Sequence, residues 1–127
     1  MKKQKSGRII NIASKAAKYG GELTGIQYSS AKAGVTGLTR QLARDLGPFG
    51  ITTNAIAPGL VLSSPRLEAL WKERKTEDER REFLKSIPLG RLATVDELVS
   101  VILFLASDDA SYVNGATIDV NGGWFMS

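Results

Sequence analysis

Short apolar runs and longer amphipathic stretches alternate along this chain and predict its strands and helices. Residues 8–13, Arg-Ile-Ile-Asn-Ile-Ala, form a β-branched run that precedes a glycine-rich stretch at 20–25, which predicts a strand running into a loop. Residues 51–57 predict a second strand, ended by Pro-Gly, and residues 116–120 predict a third, ended by Asn-Gly-Gly. The chain therefore carries at least three strand segments.

Two helical patterns lie between these strands. From Gln27 to about Leu46 the apolar residues recur at spacings of three and four, namely Ala31, Val35, Leu38, Leu42 and Leu46. Thr94-Val95-Asp96-Glu97 is a capping box, which opens a helix from Val95 to about Ala106. Its predicted buried face consists of Leu98, Val101, Ile102 and Leu105. Strands that alternate with helices predict an α/β fold with a parallel sheet.

These elements amount to about one half of a doubly wound, Rossmann-type sheet, with three parallel strands and flanking helices; the resemblance described below makes it the C-terminal half. The 127 residues suffice for one modest core, so we expect a single partial domain over 1–127. Residues 66–82, between the second and third strands, are predicted to be helical. The lysine-rich opening at 1–7 is typical either of a helix terminus or of a frayed end. The first strand would expose an unpaired edge.

Composition removes several classes of chemistry. The chain contains no cysteine and no histidine, which excludes thiolate nucleophiles, Ser-His-Asp triads, disulfides and thiolate zinc sites, and we expect no metal. Its basic residues are dispersed despite a net charge of +4, which argues against nucleic acid as a partner. No apolar stretch approaches the roughly 20 residues of a membrane span, and no export signal is recognisable. A cytoplasmic protein is expected.

Tyr28 and Lys32 are the candidate catalytic pair. They are four residues apart at the start of the long helix, so both side chains emerge on one face. A nearby ammonium stabilises a phenolate and so favours proton exchange by a tyrosine at neutral pH. Ser14 follows the first strand, at the sheet edge where parallel α/β folds bind ligands. Taken alone, a tyrosine and a lysine at this spacing are more often a simple surface contact.

Several segments that occur in a fixed order along the chain make the catalytic interpretation of this pair the stronger one. They are Gly-Arg-Ile-Ile-Asn-Ile-Ala-Ser at 7–14, the Tyr28 and Lys32 pair, Asn-Ala-Ile-Ala-Pro-Gly at 54–59, Pro-Leu-Gly-Arg at 88–91, and Val-Asn-Gly-Gly at 120–123. Together they resemble the second half of the short-chain dehydrogenase/reductase family, and within it the 3-oxoacyl-ACP reductase-like members. The resemblance covers essentially the whole chain and is weakest at 64–86.

The resemblance implies a role for each catalytic candidate. Ser14 is expected to position the substrate carbonyl or hydroxyl, and Tyr28 to act as general acid and base. Lys32 is expected to bind the nicotinamide ribose and to support Tyr28. The predicted cofactor contacts are Tyr28, Lys32, Pro58, Gly59, Val61 and Ser63, the last standing where the family commonly has threonine. The Pro-Gly pair also suits a plain strand-terminating turn.

The resemblance makes residues 64–87 a substrate lid. Leu67, Leu70 and Trp71 form one apolar helical stripe there, which predicts either substrate-facing or lid-packing side chains. The alternative is a solvated helix with one packed face. Helices 27–46 and 95–106 build two-fold interfaces in the family, which implies a homo-oligomer, either a dimer or a tetramer.

The implied function is an oxidoreductase that interconverts a secondary alcohol and a carbonyl with NAD or NADP, acting on a small-molecule substrate. The Gly-rich phosphate loop and the residue that reads the ribose 2′ position do not occur in the sequence, so the chain is expected to be truncated and its NAD or NADP preference is not readable. A second hypothesis remains open. The chain would then be a catalytically silent oligomerisation or assembly module derived from such an enzyme.

Overall fold

A computed structural model describes residues 1–21 and 24–126, which form an open three-stranded parallel sheet with helices on both faces. Its elements in chain order are β1 (Gly7–Ile12), α1 (Ala16–Tyr19), α2 (Ile26–Leu46), β2 (Ile51–Pro58), α3 (Pro65–Arg74), α4 (Glu77–Lys85), α5 (Val95–Ala106) and β3 (Thr117–Val120). Short 3-10 turns lie at Lys2–Gln4, Gly47–Phe49 and Asp108–Ala110. The predicted α/β class is confirmed. None of the described helices is long and apolar enough to cross a membrane.

The sheet has the order β1-β2-β3, so β2 is central and β1 forms one edge of the described sheet. In register, Gly7 lies opposite Ile51 and Ile12 opposite Ile56 along β1 and β2. Ala55 lies opposite Thr117 along β2 and β3. Parallel strands with this connectivity bring all three carboxyl ends to one edge, which is where the candidate site lies.

The core lies between the sheet and α5. Its centre consists of Ile56, Leu105 and Ala110, all almost completely buried. Packed around these are Ile10, Leu98, Val101, Ile102, Val113, Ile118 and Val120. The four residues predicted as the buried face of α5 all belong to this core. The capping box and the apolar spacing therefore placed this helix correctly along the chain and in its rotation.

Helix α2 covers the opposite face of the sheet. Successive strand residues point to opposite faces, so Asn11, which bonds to Thr39 of α2, faces away from Ile10 and the α5 core. The residues that α2 buries completely are Thr39 and Ala43, whereas Leu38 remains 51% exposed. The apolar spacing predicted the helix correctly but did not predict which of its residues face the sheet. At the closest approach of α2 to the sheet the buried side chains are the Thr39 hydroxyl and the Ala43 methyl group rather than large apolar residues.

The Pro-Leu-Gly-Arg segment is anchored to the start of α5. Thr94 and Glu97 form the predicted capping box, in which each side chain bonds to the other residue's backbone N–H. Arg91 adds a two-pronged ion pair, with its guanidinium nitrogens 2.9 Å and 2.6 Å from the Glu97 carboxylate oxygens. These bonds, first that from Arg91 and then that from the Thr94 backbone, lower the pKa of Glu97 to about 2.

Replacing Glu97→Gln is expected to lower the urea midpoint at pH 6. The folded carboxylate has a pKa of about 2 against an ordinary 4.5, so its stabilisation is complete above pH 4.5 and is lost as the pH falls towards 2. The difference between wild type and variant should therefore close over this pH range. Glu82→Gln, which removes the exposed Lys85 ion pair, is the matched control. A difference that stays constant with pH would contradict the assignment.

Candidate active site

Backbone pairing beyond the end of β1 fixes Ser14. The Ala13 N–H donates to the Ile56 carbonyl at 2.8 Å, and the Lys15 N–H donates to the Pro58 carbonyl at 3.0 Å. Ser14 therefore lies between two residues that are bonded to the central strand, at its carboxyl edge. Its Oγ accepts a hydrogen bond from the Ala16 N–H at 3.2 Å, which turns the chain into α1.

Two side-chain bonds hold α2 against β1. Asn11 donates to the Thr39 hydroxyl at 3.0 Å, and that hydroxyl donates to the Val35 carbonyl at 2.7 Å within the helix. At the next residue of β1, the Lys32 ammonium donates to the Ile12 carbonyl at 2.7 Å. These bonds set the position of the helix along the strand. They thereby determine how far its first turns extend over the carboxyl edge of the sheet.

Tyr28 and Lys32 lie on the same face of α2, as their spacing requires. The Lys32 Nζ is 5.8 Å from the centroid of the Tyr28 ring. The Tyr28 side chain is 41% exposed and borders the same cavity as Ser14. The structure thus brings together the three residues predicted as catalytic, with Lys32 behind the tyrosine and bound to the end of β1.

Two adjoining cavities meet at Tyr28. The smaller, of about 120 Å³, is lined by Ser14, Lys15, Ala16, Gly21, Thr24, Tyr28, Gly59, Leu60 and Trp124. The larger, of about 300 Å³, is lined by Thr24, Tyr28, Leu60, Leu62, Leu67, Leu70, Trp71, Arg74 and Lys75. Thr24, Tyr28 and Leu60 line both cavities, so Tyr28 lies where the two adjoin.

Besides Tyr28 and Lys32, the residues predicted to contact a cofactor run from Pro58, the last residue of β2, to Ser63. Gly59 borders the smaller cavity, and its N–H donates to the Val120 carbonyl at 3.0 Å. A Cβ at this position would approach the Asn121 Cβ to 3.1 Å, so the close passage of the two chains favours glycine. Val61 pairs with Ala93 in a single parallel bridge. Of these predicted contacts, Pro58, Val61 and Ser63 line neither of the two cavities.

The predicted lid consists of α3 and α4. Ser64 caps α3 by accepting from the Leu67 N–H, and Thr76 and Glu79 form a second capping box that opens α4. The predicted stripe of Leu67, Leu70 and Trp71 borders the larger cavity together with Tyr28. The Trp71 ring meets the Phe83 ring edge-on at 5.1 Å, so both helices contribute to this wall.

Lys15 and Trp124 are site residues that sequence reasoning missed. Lys15 is only 7% exposed, and its Nζ lies 3.6 Å from the Trp124 ring centroid and 3.9 Å from that of Phe125. Trp124 also meets Phe83 edge-on at 4.8 Å, which connects it to the lid. The adjacency of Lys15 to Ser14 was the available signal, but its aromatic partners lie at the opposite end of the sequence.

The chain is similar to known reductases and dehydrogenases over nearly its whole length. The sequence profile of the enoyl-(acyl carrier protein) reductase family matches residues 1–125. A 3-oxoacyl-[acyl-carrier-protein] reductase of Pseudomonas aeruginosa is 46% identical over 127 residues, which are 100% of this chain and 49% of that protein. A subunit of (2S)-[(R)-hydroxy(phenyl)methyl]succinyl-CoA dehydrogenase from Thauera aromatica is 45% identical and covers 97% of this chain and 46% of its own length.

A solved structure gives the same result in three dimensions. The crystal structure of a 3-oxoacyl-[acyl-carrier protein] reductase with bound NAD from Brucella melitensis superposes with a TM-score of 0.84 at 34% identity. The match covers 100% of this chain and 44% of that one. The chain thus spans about half the length of the relatives it matches.

Proposed function

This chain belongs to the short-chain dehydrogenase/reductase family, and we propose that it carries the catalytic half of an oxidoreductase that interconverts a secondary alcohol and a carbonyl. The observation that carries the proposal is the meeting of Ser14 and Tyr28 at one cavity, with the Lys32 ammonium behind the tyrosine ring. Both named relatives are reductases or dehydrogenases, which supports this reaction class. The proposed substrate is a small molecule that carries a secondary alcohol or a carbonyl group.

Each side chain has one task in the proposed reaction. In the reducing direction Tyr28 donates its phenolic proton to the carbonyl oxygen, while the Ser14 hydroxyl donates a hydrogen bond to the same oxygen. The Lys32 ammonium stabilises the phenolate that remains. In the oxidising direction the phenolate accepts the alcohol proton. The lid stripe of Leu67, Leu70 and Trp71 excludes water from this exchange and packs against the apolar part of the substrate.

A nicotinamide dinucleotide, NAD or NADP, is the proposed cofactor, and when bound it supplies or accepts the hydride at the substrate carbon. The donors at the site fit its nicotinamide half. The Lys32 ammonium has three N–H donors and gives one to Ile12, so further donors remain for ribose hydroxyls. The proposed wall for the nicotinamide begins at the end of β2 and consists of Pro58, Gly59, Val61 and Ser63. The Brucella melitensis relative is a solved NAD complex, which supports this class of cofactor.

A second candidate function is the catalytically silent assembly module. Its support is the exposed surface: β1 pairs on one side only among the described strands, and α5 presents Val95, Val99, Leu103 and Phe104 at 40–62% exposure. Such an edge and such an apolar stripe favour association with another chain. The same surfaces support a homo-oligomer under the first function as well. A cytoplasmic location stays a prediction of the sequence.

Cofactor titration separates the two candidates. Following nicotinamide fluorescence, we expect saturable binding of NADH or NADPH, and we expect Lys32→Met to weaken it roughly 10- to 100-fold, the range for a charge-assisted hydrogen bond. Lys85→Met, which removes an ammonium paired with Glu82 on α4, is the matched control and should bind as the wild type does. Absence of saturable binding up to millimolar cofactor would favour the silent module.

A further inference from the structure

The Asn-Gly-Gly motif after β3 forms a turn that carries the chain into Trp124. Both glycines have a positive φ, 66° at Gly122 and 81° at Gly123, which side chains of L residues rarely allow. The buried Asn121 side chain closes the turn, because its Oδ1 accepts from the Gly123 N–H at 3.0 Å and its Nδ2 donates to the Phe125 carbonyl at 2.9 Å. The turn therefore sets the position of Trp124, a residue to which the proposed reaction gives no task.

Trp124 is also packed in place by its neighbours. Its ring meets the Phe83 ring of α4 edge-on, with 4.8 Å between the centroids, and Phe83 itself is buried. A Cβ at Gly123 would lie 3.1 Å from the Pro88 Cγ, so the turn passes close to the Pro-Leu-Gly-Arg segment. The C-terminal turn and the lid thus hold the indole ring between them. Displacing it would cost the aromatic contact with Phe83.

Among the described residues, Trp124 borders the smaller of the two cavities but not the larger. The smaller cavity, of about 120 Å³, also has Ser14 in its wall, and Tyr28 lies in the wall of both. The larger cavity, of about 300 Å³, is lined by the lid stripe. A carbonyl whose oxygen bonds to Ser14 and Tyr28 therefore has two spaces of unequal size for its two substituents.

We propose that Trp124 is a specificity-determining residue that limits the smaller cavity, so that the substrate is an unsymmetrical ketone or the corresponding secondary alcohol. Its large apolar substituent lies in the larger cavity, and its small substituent lies beside Trp124. This inference rests on the proposed oxidoreductase function for its chemistry. The selection is steric, because an oversized group must displace the packed indole or stay unburied. One methylene group in such a pocket changes specificity roughly 10- to 200-fold.

Two ketones test the smaller cavity. Phenethyl methyl ketone has one large substituent, whereas diphenethyl ketone has two and must place one of them beside Trp124. We expect the wild-type chain to bind the methyl ketone at least about tenfold more tightly, and Trp124→Ala to reduce this preference to less than about threefold. Tryptophan fluorescence measures the binding, since the chain has two tryptophans and one lies in the wall of each cavity. Trp71 is the reporter in Trp124→Ala.

Trp71→Ala is the matched control, because it removes the same side chain from the wall of the larger cavity. Both ketones place a phenethyl group there, so their binding should weaken together while their ratio stays near the wild-type value. Trp124→Phe is a second variant that retains a ring against Phe83 and so disturbs the packing less than alanine does. Its preference for the methyl ketone should lie between those of wild type and Trp124→Ala.

Equal binding of the two ketones by the wild-type chain overturns the inference, whichever variants fold. A preference that persists unchanged in both Trp124 variants overturns it as well. Trp124 would then have a purely structural role, visible as a lower melting temperature without a change in the ratio of the two dissociation constants.

A turnover measurement distinguishes failure of this inference from failure of the proposed function. In a form of the chain joined to a dinucleotide-binding half, the ratio of kcat/KM for the two ketones should change in the variants as the binding ratio does. Equal turnover of both ketones by wild type overturns the steric limit at Trp124 and leaves the oxidoreductase function standing. Selective binding of the methyl ketone without turnover of either ketone supports the steric limit and overturns the function.

Discussion

Replacing Tyr28→Phe is expected to lower kcat by about 10²- to 10⁴-fold, the usual contribution of a positioned general acid or base. Phenylalanine keeps the ring beside Lys32 and along both cavities but removes the hydroxyl that would donate the proton. Substrate binding should change much less than kcat, because the ring and the lid contacts remain. The measurement is the rate of nicotinamide absorbance change with a carbonyl substrate, in a chain joined to a dinucleotide-binding half.

Tyr112→Phe is the matched control for this experiment. Its side chain is fully exposed at 103%, so loss of its hydroxyl should leave kcat within about twofold of wild type. Turnover of the Tyr28→Phe form at the wild-type rate would show that another group provides the proton. The Tyr19 hydroxyl, bonded to the Met126 carbonyl at 2.8 Å, would then be the next phenol to replace.

Short-range sequence patterns, such as capping boxes and β-branched runs, predicted the positions of helices and strands along the chain. The capping box of Thr94 and Glu97 fixed the start of α5 to the residue, because cap and carboxylate satisfy each other's backbone donors. The β-branched runs predicted all three strands to within one or two residues of their ends. The rotation of α2 about its own axis could not be predicted from the sequence in the same way. Thr39 faces the sheet because it bonds to Asn11 of β1. The spacing of apolar residues within a helix carries no information about such a partner on a strand.

The sequence predicted those parts of the candidate site whose residues are close together along the chain. The four-residue spacing of Tyr28 and Lys32 places them on one helix face, and the structure has them there. Ser14 reaches the same cavity only because the sheet and α2 are bonded together through Lys32 and Thr39. The catalytic and cofactor roles of these residues stay predictions that the experiments above test.

The contacts of Lys15 show what sequence patterns could not reveal. Its aromatic partners Trp124 and Phe125 come from the other end of the sequence, and the tertiary fold alone brings them to the loop after β1. From the sequence alone, a lysine next to a predicted catalytic serine is expected to be exposed, since lysine is rarely buried. Burial of this lysine was therefore the information that the sequence pattern lacked.

The second large effect is expected in the scaffold that supports the site, at Asn54. This side chain is 1% exposed, donates to the Val113 carbonyl at 2.8 Å and accepts from the Ala116 N–H at 3.0 Å. It thereby joins the central strand to the turn that starts β3. Asn54→Ala leaves two partly buried backbone groups and the buried Asn54 site without these bonds, and we expect a loss of about 2–4 kcal/mol in the free energy of unfolding.

Urea unfolding followed by far-ultraviolet circular dichroism measures this loss. Gln41→Ala is the matched control, because it removes an amide whose bond to Asp45 lies on the exposed side of α2, and it should change stability by less than about 0.5 kcal/mol. If Asn54→Ala costs no more than Gln41→Ala, the bonds to Val113 and Ala116 do not stabilise the sheet. The expected large difference would instead explain why Asn54 opens the Asn-Ala-Ile-Ala-Pro-Gly segment: it fixes β3, whose Val120 in turn holds Gly59 at the cavity wall.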